Sequence, residues 1–218
     1  MSTGIASRLL HKLRWVPHDV HYGPGRLLMS ELRKAWVRLL HPGATIRFGA
    51  GTYVGPGFRL HIPHGGTFTT GERVQFRYGF RAEITGEGRI VFGDGCICTY
   101  DVLMQCSTSI EIGDRCVFGQ STIVVDGQHR FRDTTKPMVE QGFDFEPVSI
   151  GDDVLITSKC SVMASVGQRT LVGANAVVTR PAPPYCVMAG VPARVIDYYG
   201  PPGGEPEGFT SRKDSKEE

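Results

Sequence analysis

Histidine and cysteine are the side chains here that could move a proton, attack a carbonyl or hold a metal. This 218-residue chain has seven of the first and six of the second. His18-x-x-His21 and His61-x-x-His64 each offer two imidazoles at close spacing. Both lie in Pro- and Gly-flanked stretches without a further ligand, and an imidazole zinc site needs three nitrogens and an open position. No metal is therefore expected. His129 stands alone in GQHRFRDTTKPMVEQGFDFEP, residues 127 to 147. A neutral imidazole with a pKa near ~6.5 is poised to take a proton from a reacting hydroxyl at cellular pH. On its own, however, a loop histidine is ordinarily a solvated surface residue. The cysteines show no C-x-x-C spacing, so a thiolate zinc site is not expected, and reduced thiols suit the cytoplasm.

The elements that must position these residues are written in a six-residue repeat. It reads Phe92-Gly93-Asp94-Gly95-Cys96-Ile97, Ile112-Gly113-Asp114-Arg115-Cys116-Val117, and Ile150 through Leu155. Two further copies follow, Ile156 through Ser161 and Val172 through Val177. An aliphatic or aromatic first residue and a small fifth residue fit a parallel β-helix in which like stacks on like. Cys96, Cys116 and Cys160 occupy fifth positions and are read as compact core residues. Gly at the second position is read as relieving backbone torsions at a corner. Fainter units at Gly71 to Val74 and Ala44 to Val54 extend the helix over residues 43 to 180. From Gly93 to Gly113 is about one coil and from Gly113 to Gly151 about two, yet 127 to 147 carry no hexad. That stretch is read as a loop extruded from one corner, and such excursions are more often functional than decorative.

The ends differ in composition. Residues 1 to 42 have helical periodicity in SRLLHKLRW and RLLMSELRKAWVRLL, with Leu and Trp on one side and Arg and Lys on the other. They are expected to pack against the first coil or a neighbouring subunit, with weak contact to an anionic membrane surface as the alternative. Residues 181 to 199 form a C-terminal cap, and 200 to 218 read as a disordered tail. A formal charge of +2 gives no reason to expect nucleic acid. No apolar run reaches the ~18 residues of a membrane span and no signal-peptide core is evident, so the chain is expected in the cytoplasm.

His129-x-Phe131-x-Asp133, Gln141-Gly142, Pro147-Val148, the hexads, Val177-Val178-Thr179-Arg180, Pro183-Pro184-Tyr185 and Ala189-Gly190-Val191-Pro192-Ala193-Arg194-Val195-Ile196 occur in that order. Together they closely resemble the hexapeptide-repeat acyltransferases, in the branch of sugar and polysaccharide O-acetyltransferases. The resemblance is strong over about residues 90 to 197 and rests on fold alone over 43 to 90. It implies an all-β, left-handed parallel β-helix, assembled as a homotrimer with active sites between subunits. It also implies acetyl-CoA as co-substrate, lying along the groove between two β-helices, and His129 as general base. Ser158 and Ala174 then meet the pantetheine arm, and Thr179, Arg180 and Arg194 lie near the adenine and 3′-phosphate. A guanidinium fork suits phosphate geometry, which favours the two arginines independently.

The chain also departs from that pattern. Leu155-Ile156-Thr157 replaces the usual Trp-Ile-Gly, and Val162 to Gly167 is two residues short, which opens the alternative of a longer acyl-CoA. Thr157 at a glycine corner implies altered torsions. Asp197 stands where a basic residue is common. In Cys98 to Cys106, the coil before His129, Asp101 is the candidate for binding an acceptor hydroxyl. The Asn and Asp pattern for galactoside or maltose is missing there. A glycan, a lipid-linked saccharide or a hydroxylated secondary metabolite remain as acceptors. A non-catalytic β-helix scaffold or binding subunit is the alternative to an enzyme.

Overall fold

A computed structural model describes residues 24–206 and Phe209. The described residues begin with one helix, α1 (Pro24–Leu40), followed by short strands that wind round three faces. Face 1 stacks Thr45–Arg47, Thr67–Thr70, Arg89–Phe92, Ser109–Ile112 and Val148–Ile150 in parallel. Face 2 runs from Tyr53–Val54 to Cys186–Ala189, and face 3 from Arg59–His61 to Val177–Val178. Each strand pairs with its counterpart one coil away, as a parallel β-helix requires. His18 and His21, the segment SRLLHKLRW and most of the expected tail lie outside the described residues.

First and fifth hexad positions point inward. Phe92, Ile112, Ile150, Ile156 and Val172 are buried in the first set, and Cys96, Cys116, Val154, Cys160 and Ala176 in the second. All six cysteines are buried and unpaired in disulfides. At the corners the thiols also make backbone contacts. Cys96 Sγ meets Gly113 O and Cys116 Sγ meets Gly151 O, both at 3.0 Å. Burial pushes the Cys106 thiol up to about 12, with Asp126 adding to the shift, and burial likewise raises Cys98. Cys96, Cys116 and Cys160 are core, as their hexad positions imply.

The second-position glycines work differently from expectation. Gly93, Gly113 and Gly151 are absent from the left-handed residues of the chain; that conformation falls two positions later, at Gly95, Arg115 and Asp153. What excludes a side chain is the next coil. A Cβ on Gly93 would lie 2.7 Å from the carbonyl carbon of Gly113, and one on Gly113 2.8 Å from the Asp152 nitrogen. The aspartates that follow tie coils together: Asp94, Asp114 and Asp152 each accept, through Oδ1, the N–H of Glu72, Asp94 and Asp114 respectively at 2.8 Å. Thr157 is not left-handed either. Its hydroxyl donates to Val172 O at 2.7 Å and so ties this corner to the next coil.

The helix tapers. Register advances by 22 residues from Thr45 to Thr67 and again to Arg89, by 20 to Ser109, and by only 16 from Ile150 to Val166 and on to Ala182. Core side chains shrink in step. Phe58, Phe68, Phe76, Phe80 and Phe92 pack with ring centroids 4.5–6.1 Å apart in the wide coils, whereas Val162, Val172, Ala176, Val178 and Ala182 fill the narrow ones. Two expectations about length are corrected. Ile110 pairs directly with Val148, so the stretch from Gly113 to Gly151 is one coil carrying the excursion, not two. Parallel stacking also continues past residue 180 to Cys186–Ala189, before Arg194–Tyr198 turns back antiparallel and closes that end.

At the other end α1 packs on the first coil, and does so with its polar side. Its buried residues are Ser30, Lys34 and Val37. Ser30 Oγ accepts the Val54 N–H at 2.8 Å, and Lys34 Nζ and Arg33 Nη1 donate to Thr52 O and Val54 O, each at 3.1 Å. Polar groups thus satisfy the open edge of the β-helix, whose N–H and C=O groups would otherwise lack partners.

The glycine geometry has a direct test. Gly113→Ala should destabilise the chain by ~1–3 kcal/mol in urea unfolding, because the added methyl must displace the backbone of the following coil. Gly86→Ala, where a Cβ meets nothing within 4 Å but φ is +58°, should cost about 1 kcal/mol or less.

Candidate active site

The three corners of the helix define where chemistry can gather. Corner 2 joins face 2 to face 3 and corner 3 joins face 3 to face 1. The excursion leaves from corner 3. Asp126 is the last residue before it and is buried. Its carboxylate accepts the N–H of Ser107 at 2.9 Å, and the N–H and hydroxyl of Thr108 at 2.6 and 2.8 Å, so it caps the corner of the coil above. Its own carbonyl accepts the Glu146 N–H at 2.8 Å and pins the returning strand. Asp126 was not legible in the sequence as a site residue. Its only signal was an acid placed immediately before the glycine at which the hexads break off.

From that base the excursion rises as a two-stranded arm, Gly127–His129 antiparallel to Phe143–Phe145. At Gly127 a Cβ would lie 2.7 Å from the Phe145 ring, so a larger residue there would displace that ring. His129 pairs with Phe143 across the arm, and its ring lies 4.1 Å from the Phe143 ring, centroid to centroid. Phe143 in turn stacks on Phe145 at 5.6 Å. The tip is fixed by Gln141, whose Oε1 accepts the Asp133 N–H at 3.0 Å while its Nε2 donates to Asp133 O and Lys136 O at 2.9 and 3.1 Å. The Thr135 hydroxyl and amide, followed by Lys136, hold the Asp133 carboxyl below its usual range. The arm encloses a cavity of about 650 Å³ lined by His129, Arg130, Phe131, Arg132, Lys136 and Met163 among others. The exposed His129 imidazole opens into it.

The other expected site residues divide between two corners. Met163, on the cavity wall, donates its N–H to Val178 O at 2.9 Å, which puts Thr179 and Arg180 on corner 3 one coil below. Asp101, with φ +52°, sits on corner 2 between Ile97–Tyr100 and Leu103–Cys106. Ser158 and Ala174 occupy corner 2 as well, on successive coils, with Ser158 O accepting the Asn175 N–H at 3.0 Å. Arg194 follows Ala193, whose N–H reaches Val177 O at 2.8 Å, and pairs with Ala189 at the corner 2 end of the last coil. A four-residue strand spans roughly 13 Å, so within one chain corner 2 and corner 3 stand a strand's length apart. The structure places His129, Thr179 and Arg180 on corner 3 and Asp101, Ser158, Ala174 and Arg194 on corner 2, on different coils of each. It does not bring the two groups together in a single chain.

Among the described residues no cluster of His, Cys, Asp and Glu could hold a metal ion. His61 lines a separate hollow of about 360 Å³ with His41, whose Nδ1 lies 2.9 Å from Val37 O. No helix among the described residues is long and apolar enough to cross a membrane.

No family model matches the sequence. The chain is 30% identical over 196 residues to a probable acetyltransferase of Mycobacterium tuberculosis, covering 86% of this chain and 62% of that relative. It is 28% identical over 126 residues to the galactoside O-acetyltransferase of Escherichia coli, 56% of this chain and 57% of that one. The chain thus spans about three fifths of the length of these two relatives. Its fold matches the crystal structure of a hexapeptide-repeat acetyltransferase of Vibrio cholerae complexed with acetyl coenzyme A. The TM-score is 0.53 and the identity 25%, over 78% of each chain. By repeat, coil geometry and kinship, the chain is similar to the hexapeptide-repeat acyltransferases, a family of left-handed parallel β-helices.

Proposed function

We propose that this chain is a CoA-dependent O-acyltransferase that moves an acetyl group from acetyl-CoA to a hydroxyl of a sugar, glycan or related polyhydroxylated acceptor. The observation that carries the reading is His129, held by a built arm at the mouth of a cavity on corner 3. The Vibrio cholerae protein was crystallised with acetyl coenzyme A, and the Escherichia coli relative is named for O-acetyl transfer to a galactoside, which supports donor and reaction type. A scaffold would have no use for an arm whose base, middle and tip are each fixed by separate contacts around an exposed imidazole.

The chemistry needs few groups. With donor and acceptor bound together, His129 takes the acceptor's hydroxyl proton as its oxygen bonds to the thioester carbonyl carbon. The carbonyl becomes an oxyanion, which backbone N–H groups at the corners can stabilise. Collapse breaks the carbon–sulfur bond, the imidazolium returns the proton to the departing thiolate, and the products are the ester and free CoA. No acyl-enzyme is formed, and the buried cysteines take no part.

A complete site on this reading requires two chains. His129, Thr179 and Arg180 on corner 3 of one subunit face Asp101, Ser158, Ala174 and Arg194 on corner 2 of the next. The donor's pantetheine arm lies between them, and Asp101 reaches the acceptor from the neighbouring chain. A closed ring of three satisfies every such pairing with one interface.

Three outcomes check this. His129→Ala should fold and bind CoA normally while turnover falls by ~10²- to 10⁴-fold, the usual contribution of a general base; near-normal turnover would remove His129 from the mechanism. Solution mass should be about three times the 23.9 kDa chain. An active monomer at micromolar concentration would contradict the shared site. Loss of Arg180 or Arg194 should weaken donor binding by about 1.5–3 kcal/mol each, seen mainly in the donor's KM. The double Ala variant should bind CoA and dephospho-CoA about equally, and if the unmodified chain shows no preference for CoA the arginines are surface charges.

A further inference from the structure

Helix α1 turns its apolar side away from the fold. Leu28, Met29, Leu32, Trp36, Leu39 and Leu40 are all exposed, Trp36 by 58% and Leu39 by 70%. At about 100° per residue these six fall within an arc of about 120°, opposite the buried stripe of Ser30, Lys34 and Val37. A helix that merely capped the β-helix would be expected to turn this arc inward, since burying it is what makes a short helix stable in water. Here polar and cationic groups dock the helix on the first coil and the apolar arc points away from the body.

Charge identifies the occupant. Residues 1–42 hold seven Lys and Arg against two Asp and Glu, a net +5. The whole chain totals 24 against 22, which leaves 17 against 20, or −3, for the rest. Both tryptophans of the chain, Trp15 and Trp36, fall in the same 42 residues. Arg26 and Arg33 border the apolar arc along one side of the helix. An apolar arc with a tryptophan, edged by cations and embedded in a net positive segment, matches the interface of a bilayer with anionic headgroups. A second copy seated on the arc would bring two segments of +5 together. Residues 1–23 folded over it would add Arg8, Lys12 and Arg14 and only one acid, Asp19.

We infer that the outward apolar face of α1 docks this protein on anionic membrane surfaces, with the Leu28, Leu32, Trp36 and Leu39 side chains inserted at the headgroup level. The inference is independent of the proposed reaction.

The full-length chain should co-sediment with phosphatidylcholine vesicles containing about 30% phosphatidylglycerol, with a blue shift of tryptophan emission, and much less with phosphatidylcholine alone. Raising salt from about 0.05 M to about 0.5 M should weaken the partition. The double variant L32E/W36E changes only exposed positions and should melt like the unmodified chain, yet partition at least ~10-fold more weakly. Should its melting fall, Trp36→Ala, which keeps a good helix former, gives the same reading through the same vesicles. Failure of the unmodified chain to bind anionic vesicles overturns the inference. So does equal binding by the variants. A fall in oligomer mass in L32E/W36E, with no vesicle binding by either protein, would assign the arc to a second copy instead.

Discussion

Everything in this molecule depends on how closely one coil lies on the next. Parallel strands on each face stack at the ~4.8 Å spacing of hydrogen-bonded neighbours, and the corners must keep that spacing although they are not strands. Gly93 and Gly113 meet the following coil so closely that a single carbon would collide with its backbone. Directly after them, Asp94 and Asp114 project carboxylates that take up N–H groups of the coil above. Gly-Asp is therefore a stacking device: the first residue allows approach and the second converts it into a bond. The left-handed residue two positions after the glycine then aims the chain along the next face.

That device explains what was legible in the sequence. Because each corner imposes the same demands, the hexads announce the β-helix and its inward positions, and the buried state of Cys96, Cys116 and Cys160 follows from their place in the repeat. The excursion at 127 to 147 was visible as the place where the repeat stops. What the pattern could not convey was any property set by the neighbouring coil. The reason for glycine is a contact across coils rather than a torsion within one. Coil length is set by which residues pair, so the single coil between Gly113 and Gly151 could be counted only from Ile110 opposite Val148. Helical periodicity in α1 likewise gives two faces without saying which is turned inward, and the unpaired edge of the first coil selected the polar one.

Site residues were legible to different degrees for the same reason. His129 and Gln141 belong to a motif, and the arm shows why their order matters: one stands on the rising strand and the other clamps the tip. Asp126 was missed because its role lies in Ser107 and Thr108, a coil earlier and nearly twenty positions away. A buried carboxylate that accepts three donors from one corner costs less to bury than an unpaired one, and it also makes the corner a firm root. Asp101 was singled out by residue type alone, and type does not say on which corner a residue will fall.

The taper and the arm together suggest why such a fold can carry a long insertion without disturbing its stack. Loop-closure entropy grows only with the logarithm of loop length, so the 21 residues from 127 to 147 cost little more than a short turn once their ends are fixed. The ends are fixed by the coils themselves: Asp126 above, through Ser107 and Thr108, and Val148, whose strand resumes the register opposite Ile110. The wide Phe-filled coils lie on one side of this root and the narrow Val- and Ala-filled coils on the other. An arm rooted at that step rests on a rigid column while its own contacts, Phe143 against His129 and Gln141 across the tip, stay local to the arm. The imidazole can thus be placed by the arm and the arm by the stack, two independent layers of positioning built from one repeated corner.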